Sequence, residues 1–524
     1  MCRVSPTEKE DLLSPCKLIK NENETEILIP FIPQKKGSHE GSIKHKEEDK
    51  AFAQLHGWPT PKQALEELRQ MGKISGPMVL TGLILYSKTM ISMLFLGHLG
   101  ELALAGGALA IGYANITGYS VLSGLAMGME PICGQAFGAK RPHLLSLTLQ
   151  RTILLLLSAS LPISLLWLSM HTFLSLTGQD PDITSTAQTY ILFSLPDLLS
   201  LAVLHPLRVY LRTQSITMPL TYCSLSAILL HIPINYLLIN VMGLGVRGVA
   251  LASCCTNLNI LFSLSLYLYT SGLHKEAFGS LSLECFREWG SLLSLAIPSC
   301  VSTCLEWWWY EIMIILCGLL SNPSATVASM GILMQTTSLL YIFPSSLSFG
   351  VSTRVSNELG ANRPQKAKHS TIVAIFCGFL LGFFALGFSL TVKNKWARLF
   401  SSDEEIWILT SRVLPIIGLC ELGNCPQTIG CGVLRGTARP KVGANVNLGS
   451  FYFVGMPVAV GLGFFSGLGF GGLWMGLAAA QASCVGLMMV VIRRTDWGLM
   501  AERAMVLTGC HQNQDREKVD SVEV

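Results

Sequence analysis

Charge is what this chain has least of. Asp, Glu, Lys and Arg make up 13% of its 524 residues, about half the 25% usual for a soluble domain. The apolar set from Ala to Cys fills 50% of the chain and the mean hydropathy is +0.48. Apolar segments recur from residue 74 to 492, which excludes a soluble fold and predicts a polytopic membrane protein. Lys plus Arg exceed Asp plus Glu only by 37 to 33, and no basic stretch alternates with aromatics. Nucleic acid is therefore not an expected partner. Enzyme signatures are also missing: there is no GxxxxGK[ST], no HExxH and no GxSxG, so ATP is not the direct energy source. The glycine-rich run Gly467-Leu468-Gly469-Phe470-Gly471-Gly472 follows an apolar span rather than a strand, which argues against a dinucleotide loop. The 16 cysteines form no disulfide or zinc framework; Cys254, Cys255, Cys300, Cys304 and Cys317 sit inside apolar runs as small hydrophobes. No metal and no cofactor are expected, and a proton gradient is left as the energy source.

What is present divides into tails and spans. Residues 1–72 are polar, with Pro6, Pro15, Pro30 and Pro33, and read as a mostly disordered cytosolic tail without a cleavable signal peptide. Glu8 to Leu13 (EKEDLL) has the spacing of an acidic di-leucine sorting signal, a string that also arises by chance. Pro61 to Met71 predicts a short amphipathic surface helix, with Ala64, Leu65, Leu68 and Met71 at helical spacing. Twelve spans follow, near 74–97, 102–128, 144–169, 184–208, 217–240, 245–270, 290–319, 325–350, 369–392, 405–430, 441–463 and 469–492. Short polar links are expected near 128–143 and 350–368. The N-lobe covers 73–270, an inter-lobe loop 271–289, the C-lobe 290–494 and a cytosolic tail 495–524. With the N-terminus in the cytosol, thirteen Lys and Arg fall on inner connections and four (Arg247, Lys393, Lys395, Arg398) on outer ones. That is a positive-inside bias, with 393–398 its one poor fit.

An internal repeat supports the division. Gly138-Ala139-Lys140-Arg141-Pro142 returns 222 residues later as Gly360-Ala361-Asn362-Arg363-Pro364. Leu207-Arg208 with Arg212 returns as Leu434-Arg435 with Arg439, 227 on, and Leu244-Gly245 with Gly248 as Leu468-Gly469 with Gly472, 224 on. Six spans per half is even, so the halves are parallel repeats. A pseudo-two-fold along the membrane normal and a cleft between two six-helix lobes follow.

Polar residues inside apolar spans mark the candidate site, because an unpaired charge at mid-bilayer costs about 2.5–3.5 kcal/mol on insertion scales. The seventh span holds Leu305-Glu306-Trp307-Trp308-Trp309-Tyr310-Glu311. Glu306 shares a face with Tyr310, while Glu311 lies about 140° away. Glu306 is the favoured proton-binding carboxylate and Glu311 a second candidate; a structural Glu paired with a buried Arg is the alternative. Pro298, two turns earlier, permits bending. Trp307, Trp308 and Tyr310 are candidates to line a cleft for flat solutes by stacking, although three consecutive tryptophans cannot all face it. The tenth span carries Glu421, Asn424, Gln427 and Thr428 as a polar stripe, Glu421 as a coupling residue and the others at the cavity. Arg412 near its outer end is expected to snorkel. In the first half, Lys88 either contacts an anionic solute, neutralises an acid or snorkels. Asp197 adds an acid in the fourth span. His231 and Asn235 in the fifth are cavity candidates, with a purely structural hydrogen-bonding role open for His231. Glu130 is expected to pair with Arg208 or Arg212 in gating or in holding the lobes, with Arg435 and Arg439 as the repeat counterparts.

Several of these stretches carry a family likeness. Phe95 to Gly100 (FLGHLG), Cys133 to Ala139 (CGQAFGA), Cys304-Leu305-Glu306-Trp307-Trp308, Arg354 to Gly360 (RVSNELG) and Val433-Leu434-Arg435-Gly436 resemble the multidrug and toxic compound extrusion (MATE) family, in its plant DETOXIFICATION branch, over about residues 72–495. The resemblance implies the twelve-helix, two-lobe MATE fold and export of organic solutes in exchange for protons, with Glu306 as the seventh-helix carboxylate that is protonated. It also implies an aspartate in helix 10 where this chain has Thr428, so the acidic pair is broken and Glu421 is its nearest substitute.

The expected function is proton-coupled antiport of a small organic solute, such as a secondary metabolite, organic acid or hormone, by a monomer in a plant plasma, vacuolar or endosomal membrane with both termini cytosolic. Its partners are solute, protons and lipid. The rival reading is a transporter-like signalling protein whose tails dock a cytosolic partner such as a kinase.

Overall fold

The structure, a computed structural model, describes residues 57–176, 179–278, 283–320, 322–400 and 403–509. The di-leucine string at Glu8 to Leu13 lies outside them. The twelve expected spans are present: α1 (Pro61–His98), α2 (101–138), α3 (Pro142–Leu168), α4 (Pro181–Thr213), α5 (Met218–Val241), α6 (Val246–Thr270), α7 (Trp289–Cys317), α8 (Pro323–Gly360), α9 (Pro364–Val392), α10 (Glu404–Gly436), α11 (Pro440–Phe465) and α12 (Gly469–Arg493). A last helix, α13 (Trp497–Leu507), follows. Eleven of the spans are single helices long and apolar enough to cross a membrane; α2 is broken by a π turn at Asn115–Tyr119 and a step at Gly128.

Local chemistry sets the helix starts. Proline occupies the first turn of α1, α3, α4, α5, α8, α9 and α11, where its missing N–H costs nothing. Thr60 and Gln63 close a capping box on α1, and Asp180, Asn322, Asp403 and Asp496 cap α4, α8, α10 and α13. Pro77, inside α1, leaves the carbonyl of Lys73 without its helical donor; the Thr217 hydroxyl donates to it at 3.3 Å.

Three boundaries differ from the sequence expectation. The amphipathic segment at 61–71 is not a separate surface helix but the first three turns of α1. The polar stretches after 128 and 350 are not links, because α2 and α8 run on to Gly138 and Gly360. In both cases some polar side chains reach the opposite lobe, Gln135 to Gly436, Glu130 to Arg435, Arg354 to Glu67 and Asn357 to Thr213. Residues 497–507, assigned to a tail, form α13, which buries Trp497, Met500, Ala501 and Ala504 against α8, α9 and the end of α2.

The repeat is structural as well as sequential. Lys140 and Asn362 both take the left-handed conformation (φ +56° and +55°), as do Ser215 and Ala438 (φ +63° and +57°). At each of these turns a backbone N–H reaches back to the last helical turn at 2.8 or 2.9 Å: Arg141 to Ala136, Arg363 to Glu358, Ile216 to Leu211 and Arg439 to Leu434. Pro233 and Pro457 are each followed by a π turn, Leu237–Val241 and Gly461–Phe465. Two separate hydrophobic cores result, one within 96–296 and one within 309–488.

The halves meet along two antiparallel seams. In one, α1 lies on α8, from the Glu67–Arg354 ion pair at 3.1 Å to the Tyr86 hydroxyl donating to the Gln335 carbonyl at 3.3 Å. In the other, α2 lies on α7. A Cβ at Gly128 would stand 2.3 Å from the Ala296 Cα, so only glycine admits this approach. Near the termini the lobes exchange equivalent hydrogen bonds. Gln135 donates to the Gly436 carbonyl at 3.2 Å, and Asn357 donates to the Thr213 carbonyl at 3.0 Å.

Candidate functional site

Glu306 lies half-buried on α7, within hydrogen-bonding reach of the Tyr341 hydroxyl of α8 and in the field of Arg435 and Glu421. Among the described residues it makes no ion pair within 4 Å. Arg435, the nearby cation, is engaged elsewhere: its Nε stands 3.3 Å from Glu130 and its Nη2 donates to Ser348 at 2.9 Å. Glu421 is enclosed, 1% exposed, and accepts from Asn424 at 2.9 Å and Cys425 at 3.5 Å. Tyr310 stands in the electrostatic field of both carboxylates.

The polar stripe of α10 turns inward rather than lining an open wall. Asn424, Gln427 and Thr428 are buried. Gln481 of α12 and Thr428 donate to the Asn424 carbonyl at 3.3 and 3.5 Å, and Gln427 donates to Asn447 of α11 at 3.4 Å. Asn447 passes the network on to Ser302 of α7 at 3.1 Å. These side chains link helices 7, 10, 11 and 12. The tryptophans separate as helical geometry requires. Trp307 and Trp308 are 37% and 40% exposed, while Trp309 is fully buried and packs edge-on against Phe451 and Tyr452. The Trp308 indole donates to the Ile116 carbonyl in the π turn of α2, at 3.1 Å, so an amide-like partner holds it in place. Glu311 points its carboxylate toward Gly112 of α2, away from Glu306.

In the first half, His231 and Asn235 are fully buried. The His231 ring bonds Ser92 of α1 at 3.1 Å and Thr256 of α6 at 2.7 Å, and Asn235 bonds both its ring and its carbonyl. The pair ties α1, α5 and α6 together inside the lobe and does not open on a cavity. Lys88 is half-buried in the second half of α1, its ammonium donating to Asn257 of α6 at 3.3 Å.

At the end that carries the termini, Glu130 is fully buried and stands 3.3 Å from Arg212 of its own half and 3.3 Å from Arg435 of the other. The expected partner Arg212 is there, and Arg208 is not; the second cation comes from across the interface. The Arg212 guanidinium also lies 4.0 Å above the Phe349 ring of α8. Arg439 has a different task, joining α10 to the end of α12 through Thr495 at 2.7 Å. Beside this cluster, Arg354 is gripped by Glu67 and by Glu358, at 3.1 and 2.8 Å, and Ser370 donates to Glu67 at 2.7 Å.

The family model MatE matches the chain twice, over residues 77–237 and 298–460, each match opening on the proline inside the first helix of a half. Protein DETOXIFICATION 48 of Arabidopsis thaliana is 62% identical over 454 residues, 87% of this chain and 85% of that protein. Protein DETOXIFICATION 49 of the same plant is 62% identical over 86% of this chain and 91% of its own. The crystal structure of the eukaryotic MATE transporter AtDTX14 superposes with a TM-score of 0.81 at 32% identity, covering 84% of this chain and 99% of that one. The chain belongs to the MatE family. It is an integral multi-pass membrane transporter and not an enzyme.

Some residues of this MatE site escaped sequence reasoning. Tyr341 is one tyrosine in an apolar span, and nothing local marks it as the partner of Glu306. Asn257 and Gln481 had a usable signal: both are amides inside apolar spans, 224 residues apart, the same offset as the third repeat anchor.

Proposed function

We propose that this MatE protein is a proton-coupled antiporter that exports or sequesters small organic solutes by alternating access. The observation that carries the reading is Glu306, a carboxylate at bilayer depth with a hydroxyl partner in Tyr341 and no ion-paired cation among the described residues. A salt-bridged acid keeps its charge; one held only by a neutral donor is free to gain and lose a proton. Glu421 and Asn424 form the environment of that switch, because protonation of Glu306 removes a negative charge from the field felt by Tyr310, which Glu421 also reaches. Trp307 and Trp308, both partly exposed, offer faces to a flat solute.

In the cycle, solute occupies the cleft while Glu306 is ionised. A proton arriving from the acidic side neutralises Glu306, the hydrogen bonds of α7, α8 and α10 rearrange, and solute leaves. The inner end, closed in this structure by Glu130, Arg212 and Arg435, must then part for the lobes to face the cytosol. The termini lie on the cytosolic side by the positive-inside bias, and the membrane is the plasma membrane or a vacuolar or endosomal one. The energy comes from the proton gradient without a bound cofactor.

The test is flux of a panel of organic solutes in proteoliposomes under an imposed pH gradient. Gradient-driven flux in the wild type and its loss in Glu306→Gln are expected. Flux that survives the substitution unaltered removes Glu306 from the mechanism. Absence of flux for every solute, with tight binding of the tails to a cytosolic protein, supports the signalling reading instead.

A further inference from the structure

The seam between α2 and α7 carries a pair of thiols. Cys300 and Cys304 stand four residues apart on one face of α7, with their sulfurs 3.9 Å from each other. Both sulfurs reach across the seam: Cys300 Sγ lies 3.7 Å from the Val121 carbonyl of α2, and Cys304 Sγ lies 3.8 Å from the Ser120 hydroxyl. The helices touch here, since a Cβ at Gly124 would stand 2.6 Å from the Cys300 Cα. Cys304 is buried, Cys300 is partly exposed, and both are free thiols. The equivalent seam, α1 on α8, does without them. The offset of 221 that relates Pro77 to Pro298 takes Cys300 to Val79 and Cys304 to Leu83. Ordinary apolar side chains therefore serve the packing, and two touching thiols are more than it needs.

Distances decide how such a pair can react. A direct disulfide needs Cβ atoms about 3.5–4.5 Å apart, whereas residues four apart on a helix hold theirs about 5–6 Å apart. Joining the sulfurs directly would distort the turn of α7 that leads into Glu306. One atom inserted between the sulfurs spans the gap and leaves the helix as it is. Zinc does not fit, because a structural site takes four ligands, and no group of three or more His, Cys, Asp or Glu among the described residues could hold a metal. Monovalent copper accepts two thiolates, but the product is an anion, which is costly inside an apolar span. A trivalent arsenic atom bearing one organic group forms two As–S bonds and stays neutral.

We propose that Cys300 and Cys304 are a dithiol site for mono-organic trivalent arsenicals (R–As=O), and that the bridge arrests the rocking of the lobes by filling the seam between α7 and α2. In the step, the arsenic–oxygen bond is exchanged for two As–S bonds. Both thiol protons leave with the oxygen as one water, and arsenic stays trivalent, so nothing is oxidised or reduced. The arrest, but not the site, rests on the transport reading above.

The test treats reduced, purified full-length protein with phenylarsine oxide in excess mercaptoethanol, a monothiol, and maps the adduct by mass spectrometry after digestion. The wild type is expected to carry one phenylarsenic group on the peptide that contains Cys300 and Cys304, released by the dithiol dimercaptopropanol. Retention is expected to fall at least about 100-fold in Cys300→Ser and in Cys304→Ser, because the second attachment is intramolecular and such linkage contributes about 10²–10⁴-fold. Joint replacement of Cys254 and Cys255 by serine leaves it unchanged, since neighbours on a helix point about 100° apart. If a serine variant does not fold, the mapped wild-type peptide decides alone. An adduct on other cysteines, or none retained, overturns the site, as does occupation of the pair by buffered monovalent copper and not by the arsenical. In proteoliposomes, the treated wild type is expected to lose gradient-driven flux and regain it with dimercaptopropanol, while Cys304→Ser is unaffected by treatment. Full labelling with undiminished flux overturns the arrest. Labelling is read without flux, so failure of the transport reading would leave the site standing.

Discussion

Glu130 ties the two lobes together through a single side chain. It is fully buried between two arginines that approach it from different lobes. Glu130→Ala is expected to destabilise the closed end that carries the termini by about 3–5 kcal/mol, because it removes the carboxylate that buried Arg212 and partly buried Arg435 share. A thermal-shift measurement on purified protein should show a clear drop, and a wild-type melting point would mean the arginines find other partners. Glu306 is different in kind: a half-buried acid with no ion pair within 4 Å among the described residues. The sequence pointed to both, since a carboxylate in an apolar run is conspicuous. It did not separate their roles, because that depends on which arginine crosses the interface, and Arg435 lies 305 positions from Glu130. The same limit applies to His231, Asn235, Gln427 and Thr428. Their polarity suggested a cavity, and their packing consumes it.

At the scale of elements, the closure at the end that carries the termini is built from the prolonged ends of α1, α2 and α8. A Cβ at Gly138 would lie 2.0 Å from the Asn357 carbonyl oxygen, so Gly138→Ala must push α2 off α8. Cys133, fully buried one turn and a half before it, reports the separation. Alkylation of Cys133 by a membrane-permeant maleimide, read by mass spectrometry, is expected to rise several-fold in Gly138→Ala; protection equal to the wild type would show that the helices give without parting. Glu67→Gln weakens the tie between α1 and Arg354. Because Arg354 keeps Glu358 at 2.8 Å, the loss should be about 1–3 kcal/mol, with a smaller rise in the same labelling. Hydropathy located every span, since twenty apolar residues have few alternatives. It missed the helical ends after Met127 and Gly350, whose polar residues meet the opposite half, and the whole of α13, whose short apolar face packs on α8, α9 and the end of α2; these are tertiary contacts that no local window registers.

Over the whole molecule, the duplicated half is the organising fact. Equivalent turns at Lys140 and Asn362, equivalent hydrogen bonds from Gln135 and Asn357, and paired prolines at 77 and 298 give two like bodies that are able to rock about a shared axis. The chemistry laid on that scaffold is not duplicated. The C-lobe holds Glu306 and Glu421, and the N-lobe holds Lys88 and Asp197. In the proposed cycle Glu306 exchanges protons and the cleft between the lobes meets the solute. Difference infrared spectroscopy reads the first of these tasks directly, through the carbonyl stretch of protonated carboxyl groups as a transported solute is added and withdrawn. The account predicts a reversible band in the wild type that is absent from Glu306→Gln. The same band persisting in that variant would place the proton on another residue and contradict the account.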